Sequence, residues 1–150
     1  MRLLLALLAL ALPAPLLAMQ AQQANFEFGD DSSQFSNDGE CDDMRFTGPG
    51  MTETPLLVQD IATDATDCRA AFDDGRLEFD PLFANPAHPR DIVWGDDAST
   101  LALDGRCGDV RFTGYYAADM NFERADVGHD ATDCRALFVK GIARWAARGS

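Results

Sequence analysis

A chain of 150 residues, 47% of them hydrophobic, is long enough for one or two small folded domains and is too hydrophobic to be disordered by composition. Its 25 acidic residues outnumber the 12 Lys and Arg residues, which gives a formal net charge of −13. That charge repels the phosphates of nucleic acids and acidic lipid surfaces, and it favours cations and basic proteins as partners.

The N-terminus has the features of a secretory signal peptide. Arg2 supplies one positive charge, and an apolar run follows over residues 3–17. The run is shorter than the ~20 apolar residues that a membrane-spanning helix needs, and Ala18 and Ala21 are small residues suited to cleavage. The sequence therefore predicts a signal peptide over residues 1–18, cleaved after residue 18 or 21, and no membrane span in the mature protein.

One segment of the sequence occurs twice, at a constant offset of 66 residues. Residues 28–72 align with residues 94–138 without a gap, and 21 of the 45 aligned pairs are identical. Internal similarity of this kind indicates copies of one structural unit. The predicted boundaries are 26–80 for the first module, 81–91 for a Pro-rich linker, 92–145 for the second module and 146–150 for a C-terminal tail.

In chain order, each module is predicted to contain a strand, an acidic loop, a helix and a second strand. Apolar residues at 26–28 and 92–94 predict the first strands. The Gly-Asp-Asp and Asp-Gly segments that follow are typical of loops and turns. The second strands are expected to begin at Leu77 and Ile142. The predicted fold class is therefore α+β, in two small tandem modules.

The helix of each module is marked at both ends. Asp64 and Asp130 precede the helical segments and are placed to cap them. Gly75 and Gly141 occupy the position at which helices commonly end in a left-handed residue. The spacing predicts helices of about ten residues.

Four cysteines, Cys41, Cys68, Cys107 and Cys134, fall at matched positions of the two modules. In an exported protein an even number of cysteines indicates disulfides, and the Cys-x-x-Cys spacing of zinc ribbons is absent from this sequence. The repeat favours one disulfide inside each module, Cys41–Cys68 and Cys107–Cys134. The exchanged pairing, Cys41–Cys134 with Cys68–Cys107, respects the same symmetry and stays open.

Aspartates also recur at matched positions. A disulfide inside each module would bring the acidic loop beside the start of the helix, where repulsion between the carboxylates would have to be offset. Calcium, which takes about 6–8 oxygen ligands, would offset it. The predicted metal-binding residues are Asp30, Asp31, Asp38, Asp43, Asp64 and Asp67 in the first module and Asp96, Asp97, Asp104, Asp109, Asp130 and Asp133 in the second. In the metal-free alternative, these aspartates are helix caps, turn residues and partners of the recurring arginines.

The first module contains the segment Asn37-Asp-Gly-Glu-Cys-Asp42 and, later, the segment Asp64-Ala-Thr-Asp-Cys68. This pattern resembles the core of Lin-12/Notch repeats, which are small, calcium-binding, disulfide-rich extracellular modules. That family carries three disulfides in a shorter unit, whereas each module of this chain has two cysteines. The fuller pattern, Gly-Asp-Asp-Ser, then Asp-Gly-x-Cys, then Asp-Ala-Thr-Asp-Cys-Arg, is also similar to one in uncharacterised bacterial exported proteins, which implies no function. The Lin-12/Notch resemblance implies calcium ligands at Asn37, Asp42, Asp64 and Asp67.

Sequence signals of catalysis are few. His88 falls in the predicted linker, whereas His129 precedes Asp130 and suggests a catalytic pair. A hydrolase centred on His129 therefore stays an alternative. The sequence contains no Gly-x-Ser-x-Gly elbow, phosphate-binding loop or dinucleotide fingerprint.

We therefore expect a secreted or periplasmic, non-enzymatic binding or scaffold protein whose modules bind calcium. Its expected partner is an extracytoplasmic protein, with a basic one favoured by the charge, and not a nucleic acid. The alternative from a different class is a metal-free secreted inhibitor or accessory subunit that binds a basic partner.

Overall fold

A computed structural model describes residues 26–114 and 123–146. The predicted signal peptide lies outside the described residues, as does the predicted C-terminal tail from residue 147 onward. Within the described ranges, no helix combines the length and the apolar character needed to cross a bilayer.

Each module contains one α-helix and one two-stranded antiparallel sheet. The elements are β1 (Phe46–Thr47), α1 (Ala65–Asp73) and β2 (Glu78–Phe79) in the first module and β3 (Phe112–Gly114), α2 (Ala131–Val139) and β4 (Ala143–Trp145) in the second. Phe46 lies opposite Phe79 in the first sheet, and Phe112 lies opposite Trp145 in the second. Short 3-10 helices cover Val58–Asp60, Pro81–Phe83, Pro89–Asp91 and Arg124–Asp126. The predicted small α+β class is confirmed.

The first predicted strand of each module is wrong. Residues 26–28 and 92–94 are irregular, and the strand that pairs with the C-terminal one follows the first cysteine instead. The reason lies in the backbone carbonyls, which are bonded to arginine side chains rather than to a neighbouring strand. Arg45 donates to the carbonyl of Glu27 at 2.9 Å, and Arg111 donates to that of Val93 at 2.8 Å. The second strands begin within one residue of the predicted positions.

The helices form where they were predicted, but their caps differ. Asp64 precedes α1 in the cap position, yet its side chain makes no capping hydrogen bond. Asp31 caps the helix from the preceding loop, because its carboxylate accepts from the Thr66 amide at 2.8 Å and from the Thr66 hydroxyl at 2.7 Å. Asp97 and Thr132 repeat this arrangement at α2. At the other end of α1, Gly75 has the expected left-handed φ of 71°.

Both disulfides lie inside modules, as Cys41–Cys68 and Cys107–Cys134, so the exchanged pairing is wrong. Each disulfide joins the loop before a strand to the middle of a helix, and all four cysteines are buried. Aromatic side chains surround each disulfide and form a separate hydrophobic core in each module. The disulfides therefore fix the acidic loops against the helices.

The two modules also contact each other through equivalent residues. Leu57 and Glu123, which are matched positions of the repeat, form an antiparallel β-bridge. Equivalent residues that pair in this way are related as if by a two-fold axis. The modules are therefore arranged like the two halves of a symmetric dimer within one chain.

A third hydrophobic cluster lies between the modules. Met44 and Val110, again matched positions, are buried in it together with Val127 and Phe83. Phe83 belongs to the segment predicted as a linker, and its side chain is only 1% exposed. Nearby, Arg124 of the second module donates to the Met44 carbonyl and to the Asp80 carboxylate of the first. The Pro-rich segment thus supplies part of the core.

Candidate functional site

Two of the predicted metal-binding aspartates form buried ion pairs. Arg45 and Asp43 are 0% and 1% exposed, and Arg45 Nη2 lies 2.6 Å from Asp43 Oδ2. The same oxygen accepts from the Ala62 amide at 2.8 Å, which ties the cysteine loop to the segment before α1. Asp109 and Arg111 repeat the pair in the second module. Both carboxylate oxygens of each aspartate accept hydrogen bonds, so these residues have a structural role.

The loop aspartates organise turns. Asp30 Oδ1 accepts from the amide and the hydroxyl of Ser32 at 3.0 and 2.6 Å. Asp31 and its counterpart Asp97 cap the helices, and the hydrogen bonds from Thr66 lower the pKa of Asp31.

Asp96 Oδ1 lies 2.5 Å from His129 Nδ1. The partner of the His129 ring is therefore Asp96, and not the adjacent aspartate that the hydrolase alternative suggested.

The aspartates on either side of the disulfide lie close together, as the sequence predicted. Asp67, in the first turn of α1, accepts from the backbone amides of Asp38 and Gly39 at 2.8 and 3.2 Å. In the second module Asp133 accepts from the Gly105 amide at 2.8 Å, and Asp104 occupies the position of Asp38. The Asp-Gly turn therefore lies against the N-terminal end of the helix in both modules.

Asn37 precedes this turn in the first module and is exposed. It adopts a left-handed φ of 67°, and Leu103 adopts nearly the same φ of 64° at the matched position. Asparagine tolerates this conformation better than leucine does. The backbone shape is thus kept in both modules, whereas the polar side chain is present only in the first.

Asp64 and Asp42 form a buried pair beside the first disulfide. Asp64 is 1% exposed and Asp42 is 4% exposed. Asp64 Oδ2 accepts from the Asp42 amide at 2.8 Å. Among the described residues, Asp64 Oδ1 and Asp42 Oδ2 have no hydrogen-bond partner. Buried polar oxygens are nearly always partnered, so these two oxygens are free to accept a hydrogen bond or to bind a cation.

Both carboxyl groups of the pair have raised pKa values. Burial, followed by the negative charges of Asp38 and Asp64, raises the pKa of Asp42 to about 6. Burial, with the charges of Asp67 and Asp38 adding to it, raises the pKa of Asp64 to about 6, although the hydrogen bond from the Asp42 amide opposes the rise. A neighbouring positive charge would lower both pKa values, and no positively charged residue among the described ones contributes to either shift.

The second module carries half of this pair. Asp130 is fully buried and accepts from the Gly108 amide, and its Oδ1 has no partner among the described residues. Burial raises the pKa of Asp130 to about 7. Gly108 occupies the position of Asp42, so no second carboxyl group accompanies Asp130.

Candidate ligand atoms gather most closely around the disulfides. In residues 26–114 and 123–146, the groups with three such atoms within 4.8 Å of one another are Cys41, Asp64 and Cys68, and their counterparts Cys107, Asp130 and Cys134. The cysteines are oxidised, so only the aspartates offer ligands. An ion at Asp42 and Asp64 would have to complete its shell with the exposed turn residues, backbone carbonyls or water.

One matched pair of aspartates was missed by the sequence interpretation. Asp60 is buried and accepts from the Ser33 hydroxyl at 3.2 Å, and Asp126 accepts from the Ser99 hydroxyl at 2.7 Å. Burial raises the pKa of Asp60. The identity of positions 60 and 126 within an otherwise divergent stretch was the signal that could have identified them.

No protein-family model, curated protein or solved structure matches the chain. The resemblance to Lin-12/Notch repeats and to bacterial exported proteins therefore stays a prediction.

Proposed function

We propose that the protein is an exported, non-enzymatic binding or scaffold protein whose first-module carboxyl pair, Asp42 and Asp64, binds calcium. The disulfides are the expected state of cysteines outside the reducing cytoplasm, which supports export. Binding of the ion would hold the acidic loop, the disulfide and the start of α1 in one rigid surface for an extracytoplasmic partner.

The observation that carries the proposal is the pair of unpartnered carboxylate oxygens in a buried setting. Leaving one buried polar oxygen without a partner costs about 1–3 kcal/mol, and more when the group is charged. Asp42 and Asp64 each leave one such oxygen. A cation bound between them would partner both oxygens and neutralise their charges together, which a single hydrogen-bond donor cannot do.

The donor set favours calcium over other biological cations. It consists of carboxylates and, from the turn, backbone and side-chain oxygens, which are hard ligands. Zinc is disfavoured because the nearby sulfurs are tied in disulfides. Magnesium demands strict octahedral geometry, whereas the exposed turn that contains Asp38 suits the variable geometry of calcium.

Thermal unfolding of the oxidised protein tests the proposal. Calcium at about 100 times its Kd should add about 2.7 kcal/mol of stability and raise the melting temperature by several degrees, compared with a chelated sample and a magnesium control. Asp42→Asn weakens binding and should therefore strongly reduce this response. Without calcium the same variant should be at least as stable as the parent, because it removes a buried, repelled charge.

The matched control is Asp73→Asn, which removes one exposed negative charge from the other end of α1. This variant should respond to calcium like the parent. An unchanged melting temperature of the parent in calcium would contradict the proposal. A loss of stability in Asp42→Asn with and without calcium would give Asp42 a structural role only.

The metal-free alternative also has support. Asp31, Asp43 and Asp67 all bond to groups of the protein, so much of the recurring acidity has partners without an ion. The net charge of −13 would then serve to bind a basic extracytoplasmic protein. Such binding should weaken steeply with salt and should not depend on calcium.

A further inference from the structure

We infer that the divalent cation binds only in the first module, because the second module has a glycine in place of Asp42 and Leu101 leaves no room there for a second carboxyl side chain, so that the chain takes up one ion and not two. This inference rests on the proposed function and specifies it. It follows from three differences between modules that otherwise have the same fold.

The first difference is the number of buried carboxyl groups. In the first module Asp42 and Asp64 both leave an oxygen without a partner. In the second module Asp130 leaves one, and Gly108 contributes no side chain. A dication held by a single buried carboxylate keeps a net positive charge in a site of low polarity, which is unfavourable.

The second difference is steric. A Cβ atom added to Gly108 would lie 2.9 Å from the Leu101 Cβ and 3.2 Å from the Leu101 Cδ1. Leu101 packs against the cluster between the modules and thereby occupies the space that a side chain at position 108 would need. Its counterpart in the first module is Phe35, which is exposed, and position 42 there carries an aspartate. Leu101 therefore hinders a second carboxyl side chain at position 108 of the second module.

The third difference is the surrounding charge. Residues 26–80 contain 15 acidic and three basic residues, whereas residues 92–145 contain nine acidic and six basic ones. Next to the first cysteine of each module, Arg106 replaces Glu40, whose charge contributes to the raised pKa of Asp42. Attraction of a cation is therefore much weaker at the second module.

Stoichiometry measured on the mature, oxidised chain tests the inference. Isothermal titration with calcium, or equilibrium dialysis with radioactive calcium, should give one ion per chain. Asp42→Asn should lower the affinity at least tenfold, and Asp104→Asn, an exposed change in the second module, should leave the stoichiometry and affinity unchanged. Asp38→Asn, the exposed match of Asp104→Asn in the first module, should weaken binding.

The stoichiometry separates the inference from the proposed function. Two ions per chain, one of them lost in Asp42→Asn, would overturn the inference and leave the proposed function in place. A single ion lost in Asp104→Asn and retained in Asp42→Asn would overturn both. No bound ion would overturn the proposed function itself. If Asp42→Asn fails to fold by near-UV circular dichroism, the comparison of Asp38→Asn with Asp104→Asn decides between the modules.

Discussion

The backbone amide of Asp42 donates a 2.8 Å hydrogen bond to Asp64 Oδ2, and this bond joins two buried acidic residues beside a disulfide. It uses one oxygen of Asp64 and leaves the charge of both side chains uncompensated. The behaviour of the metal-free protein should therefore be governed by how these charges are removed, by protons or by a cation.

Stability without metal should decrease as the pH rises from about 4 to about 7. The pKa values of Asp42 and Asp64 are about 6 in the folded protein and near 3.8 in the absence of the fold, so between these values the folded state holds protons that the unfolded state has released. Raising the pH through this window removes them and lowers the free energy of unfolding, by on the order of 1–3 kcal/mol for each group. Urea unfolding of a decalcified sample across this range measures the effect.

Two variants test which aspartates cause this decrease of stability with pH. Asp130→Asn should remove its upper part, because the pKa of Asp130 is raised furthest, to about 7. Asp73→Asn should leave the slope unchanged. Asp31 and Asp97 act in the opposite direction, because their pKa values are lowered in the folded protein. Their contribution to stability is present while they are ionised and is lost only when the pH falls below about 4. A stability that rises between about pH 4 and about pH 7 would contradict the prediction.

Tryptophan fluorescence should be nearly insensitive to calcium. Both tryptophans, Trp94 and Trp145, lie in the second module, so ion binding in the first module should leave their emission almost unchanged. Exchanging the matched residues in the variant Phe28→Trp/Trp94→Phe moves one reporter to the first module. Its emission should then follow the calcium titration. A larger response in the parent than in the exchanged variant, which keeps only Trp145 in the second module, would locate the ion in the second module.

Breaking a buried ion pair should be among the most damaging single changes. Asp43→Asn leaves the Arg45 guanidinium charged, 0% exposed and without its carboxylate partner. The expected loss is about 3–5 kcal/mol in the free energy of unfolding by urea. Asp109→Asn should cost a similar amount. Asp74→Asn, which breaks an exposed 3.6 Å pair with Arg76, is the control and should have little effect.

The cap of α1 should depend on Asp31 rather than on Asp64. Asp31→Ala removes both hydrogen bonds to Thr66 and should lower the melting temperature by a few degrees. Glu27→Ala, an exposed change whose side chain has no role in the cap, should not. Equal melting temperatures for the two variants would show that the cap adds nothing measurable.

Much of the fold follows from local features of the sequence. The duplication was the basis of the predicted module boundaries. Gly75 and Gly141 indicated where the helices end, because the left-handed conformation found there favours glycine. The repeat favoured the observed disulfide pairing but did not exclude the exchanged one, which respects the same symmetry. The first strands failed because apolar alternation cannot tell a ladder strand from an irregular segment whose carbonyls are bonded by a buried arginine.

The candidate site was predictable only in outline. The sequence indicated that acidic residues would meet at the disulfide, and they do. Asp43 forms an ion pair with Arg45, whereas Asp42 Oδ2 has no hydrogen-bond partner among the described residues. The sequence could not distinguish these two residues, because they are adjacent and of the same type. That distinction depends on which side of the loop each side chain faces, and the packing of the whole module decides it.

The antiparallel bridge between Leu57 and Glu123 has a consequence for shorter chains. Because matched residues meet across it, each module presents a surface that complements its own copy. A chain that carried a single module would expose Met44 and the apolar residues around it. Such a chain would be expected to form a homodimer through this surface. Duplication thus turns an association that depends on protein concentration into one that is built into the polypeptide.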